Sequence, residues 1–294
     1  MTNSAGGSEA VTAVAADHFD ICLQALRDSD RDRYLACLLA PADKRGPLAA
    51  LYAFNAELAR IRDVIQQPLA GEIRLQWWRD LLSGKPTGEV NANPVAAALL
   101  ATMAQYRLPR DVLINMTEAR IFDLYDDPMP DRNALEGYAG ETASALIQLA
   151  GLVLDAPQAM QQAELAGHAG VAQAIAGSLL LLPVHRRRGQ VYLPLAILSA
   201  TGLDRDGFLA EPVGAQHHAA VEAFAGLGLE HLAKAKRAGG IPAALLPAFL
   251  PVALAEPVLQ QAARAPGRAF TGNLQSPQWR RQLRMMRSLA LKRL

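Results

Sequence analysis

Apolar side chains return every three to four positions along most of this chain, the period of a helix with one face turned inward. That spacing predicts helices over 17–28, 31–40, 46–66, 71–83, 93–105, 109–124, 131–153, 157–182, 215–238, 241–263 and 277–293. No stretch alternates apolar and polar residues as a half-buried strand does. Pro47, Pro109 and Pro277 occupy first-turn positions, and Ser276 is placed to cap the last helix. Gly84, Pro86 and Gly88 mark one loop and Pro128 and Pro130 another, while 186–198 is a loop leading into a short helix. About ten helices with short links predict an all-α fold in one domain over 17–294, preceded by a flexible leader over 1–16.

Composition narrows the picture. At 294 residues, 51% hydrophobic and 19% charged, the chain can build a sizeable core. A formal net charge of +1 gives no reason to expect a nucleic-acid partner. Cys22 and Cys37 lack CxxC spacing, which argues against a zinc site or a disulfide framework and for a reducing compartment. The first 16 residues have no basic segment followed by an apolar core, so they do not read as a signal. The run AQAIAGSLLLLPV (172–184) is too short to span a bilayer and is broken by Pro183. The expectation is a soluble, cytoplasmic protein, peripheral at most to the inner face of a membrane.

Candidate chemistry begins at LYAFNAELARIRD (51–63). Leu48, Leu51, Tyr52, Asn55, Ala59, Arg62 and Asp63 share one side of the helical repeat, and an apolar stripe that turns polar predicts a cavity wall. Aspartates at both 59 and 63 would stack two carboxylates one turn apart, the spacing for holding Mg²⁺ against a diphosphate. Only Asp63 is acidic, and it stands beside Arg60 and Arg62.

The stretch YLACLLAPADKRGPLAALYAFNAEL (34–58), with GEIRLQWWRDLL (71–82) and RRRGQVYLP (186–194), resembles the squalene/phytoene synthase family over roughly residues 17–270. The resemblance implies an isoprenoid-synthase helical fold around a central cavity. Typical members join two prenyl diphosphates head to head with Mg²⁺. On the family's pattern, the first aspartate-rich motif falls on Ala59, Arg60 and Asp63, and the second on Leu181 and His185. Pro183 interrupts the turn between 181 and 185 and is expected to spoil its i,i+4 geometry. Leucine cannot replace a carboxylate, and histidine is a poor Mg²⁺ ligand. No catalytic set, no metal and no cofactor is therefore expected. Mg²⁺ enters only under the alternative, an active prenyltransferase with an altered ligand set.

LLPVHRRRGQVYLP with ARIRD and GEIRLQWWRD is most similar to a divergent branch of that family, which includes a mitochondrial assembly factor for respiratory complex I and its bacterial relatives. The resemblance implies a non-catalytic accessory or assembly protein with assembly partners, or a carrier holding a prenyl diphosphate or other lipid. Candidate binding residues are Arg45, Tyr52, Asn55, Arg62, Asp63 and Tyr192. Arg45 matches the family's arginine before ALYAF. Arg186, Arg187 and Arg188 near the expected cavity mouth are further anion-binding candidates or a solvated loop. Arg60 and Arg62 would draw an anion directly, without a metal between.

Four other features carry more than one reading. DLYDDPMPD (123–131) holds Asp123, Asp126, Asp127 and Asp131, but its prolines predict an acidic turn and a helix cap, with Asp123 alone kept as a cavity residue. Gly140, Ala143, Ser144 and Gly151 allow either close helix contact or room for an apolar chain. His218 and Glu222 are spaced i,i+4 but read as solvated side chains. In 276–294, Trp279, Leu283, Met286, Ala290 and Leu294 share a face and arginines load the rest. Such a helix lies on an anionic membrane, binds a partner or packs as a final helix.

Overall fold

The apolar stripe over 48–58 becomes the buried face of a long helix, and much of the first half of the chain is arranged around it. In a computed structural model, which describes residues 5–85 and 92–293, the helices are α1 (Ala5–Ser29), α2 (Arg31–Leu38), α3 (Ala42–Val64), α4 (Pro68–Leu82), α5 (Pro94–Tyr106) and α6 (Arg110–Ala119). These are followed by a 3₁₀ turn (Phe122–Leu124) and α7 (Arg132–Ala139), then a π-turn (Gly140–Ser144) and α8 (Ala145–Gln161). The remainder is α9 (Ala163–Leu180), α10 (Leu182–Arg187), α11 (Leu195–Ala200), α12 (Arg205–Leu209), α13 (Ala215–Ala238), α14 (Leu246–Phe249), α15 (Ala255–Arg264), α16 (Gly267–Phe270) and α17 (Gln278–Leu291). Among the described residues there is no strand, as the periodicity predicts. The first four residues of the expected leader, and residues 86–91 with Pro86 and Gly88 of the expected loop, lie outside the described residues.

The chain divides into two compact units. The first is Met1–Leu124 with Leu149–Met160. Here α3 packs against α1, α2, α4 and α5, and α4 packs against α6. Leu48, Leu51, Tyr52 and Phe54 of α3 are buried, and Phe54 meets Trp78 of α4 edge-on with centroids 4.9 Å apart. A pair of that geometry adds about 1 kcal/mol beyond the area it buries. Cys22 and Cys37 are buried free thiols, and burial pushes the Cys22 thiol up to about 12.

The second unit is Tyr125–Gln148 with Gln161–Leu294. Its centre is α9 against α13, with α15 packed on both. Gly228 of α13 permits this approach, because a Cβ there would lie 2.5 Å from Leu259 Cδ2 and 3.1 Å from Ile175 Cγ2. The stretch Ala243–Arg264 is long and apolar enough to cross a membrane, longer than the run over 172–184. Most of it is nevertheless buried inside the molecule, and it is broken into 3₁₀ and α turns where Pro247 and Pro251 interrupt it.

Several predicted boundaries move. Pro47 is inside α3, because that helix starts at Ala42. Pro277 itself is the N-cap of α17, with no side-chain cap from Ser276. Residues 182–187 form α10, which takes in the first two residues of the loop expected over 186–198, and α9 ends at Leu180 rather than 182. Pro183 sits in the first turn of α10, where a missing N–H costs nothing. The turn it was expected to break survives: the His185 N–H donates to the Leu181 carbonyl at 2.9 Å.

Candidate functional site

In the first unit, α2, α3 and the turn after α6 bring six polar side chains together. Asp30 caps α2 by accepting from the Arg33 N–H at 3.0 Å, and the Arg33 guanidinium returns to the same carboxylate at 2.6 Å. Burial works against the Asp30 charge, but Arg33 outweighs it and holds the carboxyl below its usual range. The Arg33 guanidinium lies 5.7 Å from the Tyr52 ring centroid. Arg120 is near enough for its charge to oppose that of Arg33. Arg120 pairs with Asp123 at 2.9 Å and donates to Asn55 Oδ1 at 3.3 Å.

Burial makes this cluster costly. Asn55 and Asp123 are each 6% exposed and Tyr52 is 2% exposed. The Tyr52 hydroxyl has no hydrogen-bond partner, and burial pushes its pKa up. Two carboxylates face two guanidiniums, so the charges cancel pairwise and leave no surplus negative potential.

The candidate residues divide accordingly. Tyr52 and Asn55 enter the cluster, and Asp123 is the buried acid kept from the 123–131 stretch. Arg45 is half-buried and its Nε donates to the Ala40 carbonyl at 3.2 Å, closing the turn before α3. Arg62 is half-buried, whereas Ala59, Arg60 and Asp63 are exposed at the end of α3. Asp131 caps α7 by accepting from the Ala134 N–H at 3.0 Å, as the acidic-turn reading expects.

The second unit holds the other candidates. Leu181 is 51% exposed at the junction of α9 and α10. His185 packs on Tyr192 with centroids 4.5 Å apart, and Tyr138 lies 6.3 Å from Tyr192. Arg186 is committed to the fold. It donates to Glu211 at 2.8 Å and to the carbonyls of Phe208, Leu209 and Ala210, and its guanidinium lies 5.1 Å from the Phe270 ring centroid. Arg187 and Arg188 are exposed, as are His218 and Glu222.

Three participants were not singled out in the sequence: Asp30, Arg33 and Arg120. The signal was present, since Asp30 and Arg33, like Arg120 and Asp123, are spaced i,i+3. A second network was also missed. His231 of α13 bonds Glu136 of α7 at 3.0 Å and His168 of α9 at 3.1 Å. Arg132 binds Glu136, and it reaches Glu230 at 3.0 Å. Only Arg132 and Glu136 are close in sequence, at i,i+4; His231 lies 63 residues from His168 and 95 from Glu136, and no local pattern reveals those pairings.

The residues present do not fit the family's Mg²⁺. Of the aspartate positions only Asp63 is acidic, and among the described residues no three of His, Cys, Asp or Glu converge as a metal site. The half-buried Asp30 and the buried Asp123 are already neutralised by arginine.

Comparison with known proteins gives consistent results. A solved dehydrosqualene synthase in complex with a ligand superposes with a TM-score of 0.74 at 17% identity, covering 94% of this chain and 96% of that one. Squalene synthase HpnC from Alicyclobacillus acidocaldarius superposes with a TM-score of 0.70 at 18% identity, over 85% and 94% of the two chains. The human protein "NADH dehydrogenase (ubiquinone) complex I, assembly factor 6" is 30% identical over 264 residues, 90% of this chain and 78% of that protein. The Dictyostelium discoideum homolog of that factor is 23% identical over 252 residues, 84% and 70% of the two chains. The family model for squalene/phytoene synthase matches residues 26–287. With that model spanning both units and the helical fold shared across nearly the whole chain, this protein belongs to the squalene/phytoene synthase family.

Proposed function

We propose that this protein is a non-catalytic member of its family that acts as an accessory or assembly factor, with respiratory complex I as the assembly it serves. One observation carries the reading. The family's metal-binding positions hold Ala59, Arg60, Leu181 and His185, with Asp63 the one acid among them, and Asp30 and Asp123 of the first unit are paired with arginine. Such a site lacks the charge to hold Mg²⁺ against a diphosphate. The relatives that carry the assembly-factor name supply the direction. The protein works without a metal cofactor, in the cytoplasm at the inner face of a membrane.

A second reading is favoured by one side chain. The Tyr52 hydroxyl is buried without a partner beside Arg33, as expected of a group that waits for a ligand. On this reading the protein carries an isoprenoid or other anionic lipid and does not turn it over.

The experiment is a combined turnover and binding assay with farnesyl and geranylgeranyl diphosphates, with and without Mg²⁺ and NADPH. The expected result is no diphosphate release under any condition. Release that needs both the protein and Mg²⁺ overturns the proposal and restores the prenyltransferase alternative. Binding without release selects the carrier. Deleting the gene and measuring assembled complex I on a native gel tests the assembly role directly, and an unchanged amount rejects it.

A further inference from the structure

The last helix is amphipathic in two directions, and only one of them is used by the fold. Met285 and Ser288 are buried, and α17 packs against the Leu250–Leu254 turn. Arg284 lies 3.8 Å from Glu256 and ties the same side down. The stripe read from the sequence points elsewhere. Trp279 is 60% exposed, Leu283 60% and Met286 56%. They fall at i, i+4 and i+7, with Ala290 continuing the line, so they form one face. Leu294 lies outside the described residues.

The charge beside this stripe is of one sign. Residues 278–293 contain Arg280, Arg281, Arg284, Arg287, Lys292 and Arg293 and no acidic residue. Arg280, Arg287, Lys292 and Arg293 are exposed, and the Arg280 guanidinium lies 5.1 Å from the Trp279 ring centroid. A second copy of this helix would set cations against cations. A bilayer with anionic headgroups offers what both features require: an apolar layer for Trp279, Leu283 and Met286, and negative charge for the arginines at its edge. Tryptophan suits that boundary, because its ring is apolar and its N–H is polar.

We infer that α17 is a membrane-docking helix, lying in the interface of an anionic lipid bilayer with Trp279, Leu283 and Met286 inserted and Arg280 and Arg287 on the headgroups. This docking is independent of whether the protein binds isoprenoids or assists assembly.

The test is vesicle flotation with the full chain. The probes are phosphatidylcholine vesicles alone and with about one third phosphatidylglycerol, at low and high salt. The expected result is binding to the anionic vesicles, weaker binding to the zwitterionic ones, and loss as salt rises. Leu283→Glu with Met286→Glu should weaken binding at least tenfold by removing the inserted face, and Arg280→Gln with Arg287→Gln by about tenfold. All four positions are exposed, so each variant should keep its melting midpoint, which certifies that it is folded. No binding by the parent protein, or equal binding by both double variants, overturns the inference. If vesicles are ignored and Leu283→Glu instead splits a dimer seen by sedimentation, the stripe is a contact between copies and the inference is wrong.

Discussion

Tyr52 makes the clearest single-residue case, because a buried hydroxyl without a partner is a cost to the ligand-free fold. Removing it with Tyr52→Phe should leave stability unchanged or raise it by about 1 kcal/mol in urea unfolding. A loss of 2 kcal/mol or more would mean that the hydroxyl is bonded after all. Arg120 predicts the opposite sign. Arg120→Met takes the ion-pair partner at 2.9 Å from the buried Asp123 carboxylate and should cost about 3 kcal/mol. The double variant with Asp123→Leu should recover much of that loss, since an apolar pair of similar size replaces a buried ion pair at little cost. A double variant no better than the single one would show that Arg120 acts through something other than its charge. At His231, burial holds the imidazole below its ordinary value, assisted by His168 and Arg132 and opposed by Glu136. The folded state therefore prefers neutral His231 while the unfolded chain takes up a proton near pH 6.5, and this contribution is lost as pH falls below that point. Glu136, drawn below its usual range by Arg132 and His231 against the effect of burial, loses its contribution in the same direction at lower pH. The melting midpoint should fall between pH 7.5 and 5.5, and His231→Gln should flatten that fall.

At the scale of elements, one of the small residues read in 137–151, Ser144, sits at a close crossing, whereas a Cβ on Gly140 would meet nothing within 4 Å. The Ser144 hydroxyl donates to the Gly167 carbonyl at 2.8 Å, and a Cβ on Gly170 of α9 would lie 2.4 Å from the Ser144 backbone. Backbone cannot yield as a flexible side chain can, so Gly170→Ala should destabilise by about 1–3 kcal/mol. Gly177 on the same helix has nothing within 4 Å of its Cβ position, so Gly177→Ala should stabilise by about 0.5–1 kcal/mol through helix propensity alone. Chemical denaturation of the two variants compares them directly, and equal effects would remove the crossing as the cause. The same region explains one failure of sequence periodicity. A single helix is predicted over 131–153, yet a π-turn at Gly140–Ser144 interrupts it. Gly140, Thr142 and Ser144 all tolerate an ordinary helical turn, so nothing local announces the widening. The stretch 241–263 fails differently: its apolar period is correct, but Pro247 and Pro251 convert it into short turns.

On the scale of the whole molecule, the missing carboxylates decide what can be measured. The protein should release no diphosphate from farnesyl or geranylgeranyl diphosphate, and adding Mg²⁺ should change neither this nor its melting temperature. A rise in melting temperature at millimolar Mg²⁺ would reveal a site built from residues other than the family's. The residues that carry the family pattern were legible because they are local in sequence: ALYAF, the ARIRD end of α3 and RGQVYLP are read off directly, and so is the replacement of every motif aspartate but Asp63. The all-α class was legible for the same reason, since helical period depends on neighbours within two turns. What the tertiary structure decided is who pairs with whom. Asp30, Arg33, Arg120 and Asn55 come from three separate elements, and Arg186 from a supposed anion-binding loop is consumed by carbonyls more than twenty residues away. Pairing of that kind depends on helix packing, which brings together residues that no sequence period relates. So the chain alone determined the helices and the loss of most of the family's metal-binding acids, while packing determined that Asp30 and Asp123 are neutralised by Arg33 and Arg120.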